Sequence, residues 1–160
     1  MDIKQCVKDA FSVIGKVELG NSQNGVEWIK ELWKDANTNF DQVFMLAKKD
    51  DSGRPVGFWG AMSDETMSFL PWRDLTRGYY LAGVEVNEDA VPPKNWIKWH
   101  IPSFKYVCVK IENDYESVIQ TVLYKYLPIH GLKLCGAIQE FNNPIENGQL
   151  YLYFPIERLS

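Results

Sequence analysis

The sequence is poor in the residues that build metal centres. It contains two histidines and three cysteines among 160 residues, and no two cysteines have CxxC spacing. Neither His100 nor His130 has metal-ligand spacing with cysteine or aspartate, so no metal is expected. The chain also lacks a P-loop and a dinucleotide-binding glycine motif, so no cofactor is expected. No apolar run approaches the roughly 18 residues that a membrane-spanning helix needs.

Positive charge is not in excess. The formal net charge is −4. A nucleic-acid-binding surface needs a basic stripe, whereas the densest basic stretch, Lys48-Lys49, is followed at once by Asp50-Asp51. We therefore expect no direct binding to nucleic acid and no membrane partner.

The start of the sequence and the cysteines favour a cytoplasmic protein. The first residues include no apolar secretory segment. The chain has an odd number of cysteines, Cys6, Cys108 and Cys135, and two of them lie in apolar, strand-like runs. We expect all three to be reduced thiols in or near the core.

Aromatic residues are abundant, at 14% of the chain, and include six tryptophans. Such side chains supply core, but they also line ligand pockets. Glu140 lies in a short apolar run, 137–141, that is predicted to be a strand. A carboxylate among aromatic walls is costly to desolvate unless a cation meets it. A buried Glu140 would therefore indicate a pocket for a flat, apolar cation. The alternative is that Glu140 lies on the solvent-exposed face of its strand, because strand side chains alternate between faces.

The predicted elements repeat in order along the chain. They are a strand over 11–19, a helix capped by Asn24, a short helix over 39–49, strands over 56–62 and 79–86, a strand over 105–112, a helix capped by Asp114, and strands over 135–141 and 150–156. Each half gives strand, helix, strand, strand. We predict a single α+β domain over 1–160, with module one at about 1–90 and module two at about 101–160. The duplicated modules form one curved antiparallel sheet, with two main helices on one face and pseudo-twofold symmetry.

Alternation along two strands of the second module divides the side chains between the faces of the sheet. Val107 and Leu152 belong to aliphatic sets, and Tyr106 and Tyr153 belong to the opposite sets. We expect the aliphatic sets to face the helices. The tyrosine-bearing face then forms either a ligand cleft or a partly wet protein interface.

Several segments carry a resemblance to a known family. They are 11–16, 57–64, 81–86, Ile101-Pro102 with Tyr106-Val107, Tyr126-Leu127-Pro128, Glu140, and Phe154-Pro155-Ile156. In this order and spacing the chain resembles the GyrI-like small-molecule-binding proteins, which share a domain with the effector-binding halves of AraC- and MerR-type multidrug transcription regulators. No helix-turn-helix stretch precedes the domain, so we do not expect the chain to bind an operator by itself.

The resemblance implies a cleft where the modules join, lined by aromatics and containing a buried glutamate that acts on cationic or electrophilic ligands. Glu140 matches that glutamate, Tyr106 matches the tyrosine after the Ile-Pro pair, and Trp59 matches the aromatic of the short second strand. The resemblance also implies a possible activity, because in some members of the family the cleft hydrolyses cyclopropane-containing genotoxins and the glutamate activates or orients water.

The ligand-binding candidates are Trp59, Tyr80, Tyr106, Glu140, Tyr153, Trp96, Trp99 and Trp72. For Trp59 the alternative is core packing, and for Tyr106 and Tyr153 it is a solvated face. Trp72, Trp96 and Trp99 either close the cleft or fasten loops to the core. Three functions stay open: binding of a lipophilic, aromatic cation, hydrolysis of electrophilic genotoxins with Glu140 as the catalytic base, and an interaction module such as a DNA gyrase inhibitor. No protein partner is identified.

Overall fold

The chain folds around one antiparallel sheet to which both halves contribute. The computed structural model describes residues 1–160. The strands are β1 (Ile3–Lys8), β2 (Phe11–Asn21), β3 (Phe58–Ser63), β4 (Arg77–Val86), β5 (Ile97–Ile101), β6 (Phe104–Lys110), β7 (Gln139–Asn143) and β8 (Gln149–Arg158). Their order in the eight-stranded sheet is β1-β6-β8-β7-β3-β4-β2-β5. Strands β6, β8 and β7 of the second half mirror β2, β4 and β3 of the first across the β7–β3 junction, so the predicted fold class is confirmed.

Two main helices follow the first strand of each half. They are α1 (Glu27–Thr38) and α2 (Tyr115–Thr121), which continues through a π-helical turn (Val122–Tyr126) into α3 (Leu127–Ile129). Asp114 caps α2 as predicted, because its carboxylate accepts from the Ser117 backbone N–H. None of the helices has both the length and the apolar character needed to cross a membrane.

Two local predictions in the first half are wrong. Asn24 does not cap α1, because Ser22–Asn24 is a 3₁₀ turn capped by Asn21, and α1 begins at Glu27. The short helix predicted over 39–49 is instead a pair of 3₁₀ turns, Phe40–Gln42 and Phe44–Leu46.

Both helices cover the same face of the sheet. Leu32 and Ala36 of α1 share a buried cluster with Ile14 of β2. Val118 of α2 shares another with Val107 of β6. Complete burial of an aliphatic side chain of this size stabilises the fold by about 1.5–3 kcal/mol. As the alternation predicted, the aliphatic sets of β6 and β8 face the helix, whereas the tyrosine-bearing sets lie on the other face.

The outer strands, β1 and β5, were not predicted, and they interlock the two halves. Each precedes the first strand of its own half but pairs with the first strand of the other, β1 with β6 and β5 with β2. Only two residues separate β1 from β2, and two separate β5 from β6. The sheet therefore curves until its ends meet, where the Ser103 hydroxyl donates to the Lys8 carbonyl oxygen at 3.2 Å.

Cys6 of β1 and Cys108 of β6 form a disulfide. The expectation of reduced thiols is wrong for this pair, because β1, which the sequence pattern did not reveal, lies directly beside β6. Cys135 is a free thiol. A cytoplasmic location stays a prediction and loses the support that it drew from the cysteines.

Candidate ligand-binding site

A cavity of about 760 Å³ opens between α1 and α2, on the helix-covered face of the sheet. Ile29 of α1 lines one wall and Ile119 of α2 the other, while Met62 of β3 and Leu150 of β8 also line it. Eleven of its nineteen lining residues are hydrophobic. A cavity of this size and lining suits a small molecule with an apolar body.

Glu140 supplies a carboxylate to this apolar cavity. It belongs to β7 and is half-buried. The Tyr80 hydroxyl donates to its Oε1 at 2.5 Å, and the Tyr115 hydroxyl donates to its Oε2 at 2.6 Å. Trp33 of α1 in turn donates its indole N–H to the Tyr80 hydroxyl oxygen at 2.8 Å. The carboxylate is thus fixed by hydrogen bonds that reach both helices.

Gly60 makes room for this network. It lies in β3 directly opposite Glu140 of β7. A Cβ atom at position 60 would collide with the Tyr80 hydroxyl and lie 2.5 Å from the Glu140 Oε1 atom. Because Gly60 has no side chain, Tyr80 of β4 can reach across β3 to the carboxylate.

The electrostatics of the network follow from burial. Burial raises the pKa of the Glu140 carboxyl above its ordinary value, and the hydrogen bonds from Tyr115 and Tyr80 offset part of that rise. Burial, and then the charge of Glu140, hold the pKa of both Tyr80 and Tyr115 well above the ordinary value. Both hydroxyls therefore stay protonated and donate. A cation near Glu140 would favour its charged form, so the site can stabilise positive charge or accept a proton.

Trp72 is the candidate tryptophan that lines the cavity. Its ring stacks on Trp28 of α1 at 6.0 Å between centroids, and its indole N–H donates to the Tyr79 carbonyl oxygen at 3.0 Å. Gly20 of β2 and Gly78 of β4 are paired, and a Cβ on either would run into one of these two rings. The two glycines therefore make room for the stacked pair beside the cavity, and Trp72 is both fastened to the core and part of the cavity wall.

Three predicted site residues, Trp59, Tyr106 and Tyr153, lie on the opposite face of the sheet. Successive strand residues point to opposite faces, and Glu140 pairs with Gly60, whereas Trp59 pairs with Phe141. Trp59 is buried against Phe141 and Tyr153, and Tyr153 also contacts Tyr106. These side chains do not line the cavity that contains Glu140, which corrects their expected grouping with it.

Trp96 and Trp99 also lie away from the cavity. Trp96 is buried on the helix-covered face, where its indole N–H donates to the Gln42 side-chain oxygen at 2.8 Å. Trp99 of β5 is buried on the other face with its ring edge against Phe69. Both tryptophans therefore hold their segments against the core and do not close the cavity.

Of the residues in this network, Tyr80 and Glu140 are among the candidates from the sequence, whereas Tyr115 and Trp33 are not. A usable signal existed for Tyr115, because it directly follows the helix cap Asp114 and is therefore the first residue of α2. Nothing local shows that this helix end lies over β7. Glycine within a strand is a signal for the close approach of another group. Gly57 and Gly60 lie in the second predicted strand, 56–62, and in the structure Gly60 is the one beside Tyr80 and Glu140.

No protein-family model and no curated protein matches the sequence. Solved structures do resemble the chain. SAV2435 bound to tetraphenylphosphonium has 13% identity and a TM-score of 0.62, over 98% of this chain and 94% of that one. The C-terminal domain of EcmrR has 14% identity and a TM-score of 0.63, over 99% and 98%. In an EcmrR–DNA complex, 99% of this chain matches 58% of the EcmrR chain with a TM-score of 0.65. At such identities the likeness shows a shared fold.

Proposed function

We propose that the chain binds lipophilic organic cations with an aromatic body in the cavity between α1 and α2. The observation that carries the proposal is Glu140, a carboxylate in a mostly apolar cavity. Its oxygens accept two tyrosine hydroxyls, but no lysine, arginine or histidine pairs with it. Hydroxyl donors satisfy lone pairs without neutralising the charge, so a bound cation would provide the missing countercharge.

The surroundings of Glu140 fit such a ligand. The facing walls at Ile29 and Ile119 would bury an apolar body, and the Trp72 ring offers a π face. A cation over an aromatic ring gains about 0.5–2 kcal/mol, depending on how well it is desolvated. SAV2435, which has the same fold, binds the lipophilic cation tetraphenylphosphonium. Because EcmrR carries this fold as its C-terminal domain, we extend the proposal to an effector-binding role in transcription regulation, with several drug-like cations as ligands.

Calorimetric titration with tetraphenylphosphonium and the neutral triphenylphosphine oxide tests the proposal. Glu140→Gln should weaken phosphonium binding about tenfold or more, since one partly buried charge interaction is worth about 1.4 kcal/mol or above. Binding of the oxide should change much less. Glu112→Gln, a charge change at an exposed residue outside the cavity, is the matched control. Equal losses for the cation and the oxide would contradict the role of charge.

A second candidate is hydrolysis of electrophilic, cyclopropane-containing molecules. The raised pKa of Glu140 favours it, because a carboxylate titrating nearer neutrality is a better general base. Glu140 would take a proton from the water that opens the ring. Incubation with such a genotoxin, followed by mass spectrometry, should show product one water heavier that Glu140→Gln does not form. Stoichiometric binding without product would contradict catalysis.

A further inference from the structure

The Glu140 cavity continues onto the outer side of α2. A second hollow of about 380 Å³ shares Glu116, Gln120 and Tyr124 with it. We call this hollow the outer shelf; its residues are Asp114, Glu116, Ser117, Gln120, Thr121, Tyr124 and Lys125. One lining residue of the shelf is hydrophobic. A ligand seated at Glu140 could therefore extend an arm from an apolar cavity onto a polar surface.

Unpaired negative charge surrounds the passage between the cavity and the outer shelf. Glu116 of α2 and Asp74 of the β3–β4 loop are exposed and line the cavity, and neither forms an ion pair. The lining cation, Lys30, lies 3.4 Å from Glu27 and is partly neutralised by it. On the shelf itself, Lys125 is the only cation. Asp114 and Glu116 outnumber it, so the net charge that a ligand would meet on its way out of the cavity is negative.

Glu116 is also coupled to the Glu140 network. It directly follows Tyr115, whose hydroxyl donates to Glu140. Burial is the main cause of the raised pKa of Tyr115 and the Glu140 charge the next, and the charge of Glu116 adds to them. The carboxylates of Glu140 and Glu116 thus act on the same side chain, Tyr115.

We infer that the site prefers dications, with one cationic centre and its apolar body at Glu140 and a second centre, on a short arm, against Glu116 on the outer shelf. This inference rests on the proposed function and specifies the ligand class for the same cavity. Glu116 is exposed, so its contribution is modest and depends on salt.

The test uses two triphenylphosphonium ligands that differ only in the central atom of the end group, which is a charged nitrogen in one and a neutral carbon in the other. Both carry a butyl arm, which ends in trimethylammonium in the dication and in the isosteric tert-butyl group in the monocation. Calorimetry gives the ratio of the two affinities for the wild type, Glu116→Gln and Glu112→Gln. The ratio should shift toward the monocation by about two- to fivefold in Glu116→Gln, the range for one exposed charge pair. It should stay unchanged in Glu112→Gln, whose side chain lines neither hollow.

The outcomes separate this inference from the proposed function. If both ligands bind and Glu140→Gln weakens both, but Glu116→Gln leaves their ratio at the wild-type value, the preference for dications is overturned while the proposed function survives. If neither ligand binds the wild type, both are overturned. The Glu116→Gln shift should also shrink when the sodium chloride concentration is raised; a shift that does not respond to salt would overturn the charge explanation.

Discussion

The Tyr80 hydroxyl of β4 donates to the Glu140 carboxylate of β7 across the intervening strand β3, directly above Gly60. β3 and β4 belong to the first half of the chain and β7 to the second. The candidate binding site is therefore assembled at the junction of the halves, from side chains far apart in the sequence.

Cation binding should strengthen as the pH rises. Burial raises the pKa of Glu140, so the carboxyl is protonated and neutral at acid pH. A cation favours the ionised form, so the Kd should fall as the pH increases through the raised pKa and then level off, with proton release on binding below that plateau. Titration in buffers of different ionisation enthalpy measures the released protons. Glu140→Gln should bind weakly at every pH, and a variant that kept the slope would contradict this origin.

The same pKa shift predicts a small pH effect on the unliganded protein, with the opposite sign. The folded state holds the Glu140 proton more tightly than the unfolded chain does. The free energy of unfolding should therefore fall as the pH rises from the ordinary carboxyl pKa to the raised one. Urea unfolding of the wild type and Glu140→Gln across that window isolates this contribution.

Gly60→Ala should abolish cation binding. The added Cβ would meet the Tyr80 hydroxyl and the Glu140 carboxylate, so the hydrogen bond between them must break. We expect a loss of about 1–3 kcal/mol in the free energy of unfolding as well. Gly57→Ala is the control, because its Cβ would crowd Phe141 on the opposite face at 2.6 Å. It should destabilise the fold but retain affinity for tetraphenylphosphonium, and equal affinity losses in both variants would point to general misfolding.

Tyr106→Phe should leave cation binding unchanged and stabilise the fold by up to about 1 kcal/mol. Tyr106 is 1% exposed, and its hydroxyl has no hydrogen-bond partner. Removing an unsatisfied buried hydroxyl removes a desolvation cost without removing a bond. Urea unfolding measures the gain. Tyr115→Phe is the contrasting variant and should weaken cation binding, because it removes a hydrogen-bond donor to Glu140. A loss of affinity in Tyr106→Phe would contradict the placement of Tyr106 outside the binding site.

Lys8→Met should destabilise the fold by about 1–3 kcal/mol. The Lys8 ammonium lies 3.4 Å from the Glu85 carboxylate, which also accepts the Trp59 indole N–H at 3.0 Å. Without Lys8 the buried Glu85 charge loses its countercharge; the cost is below that of a fully buried pair because the Lys8 side chain is 27% exposed. Adding Glu85→Gln should restore part of the stability in urea unfolding. Lys4→Met, at an exposed position on the same strand, should have little effect.

Local patterns in the sequence were sufficient for much of the fold. The helix start at Asp114 follows from side-chain capping, and the alternation of Val107 with Tyr106 correctly divides the faces of β6. The repeated element order gave the duplicated modules. Each of these features depends on residues a few positions apart, where periodicity and capping chemistry act directly.

The composition of the site depends on long-range register, which local patterns do not encode. Alternation assigns Trp59 and Gly60 to opposite faces, but the pairing of β3 with β7 decides which of them lies beside Glu140. Grouping Trp59 with Glu140 failed for this reason. Strand β5 was missed although Ile97, Trp99 and Ile101 alternate with polar residues. It is only five residues long, and its place in the sheet depends on a ladder with β2, more than eighty residues away.

The exchange of outer strands has a consequence for how such a chain can be divided. If the chain were cut between β4 and β5, the first piece would keep β1 without its partner β6, and the second would keep β5 without its partner β2. In each piece the strand that lost its partner strand, β2 or β6, would also have an unpaired edge. A second copy of the same piece would complete both, so the intact chain has the topology of a swapped dimer fused end to end. In either piece alone, the β3–β7 junction that carries the Glu140 hydrogen bonds would be missing one of its two strands.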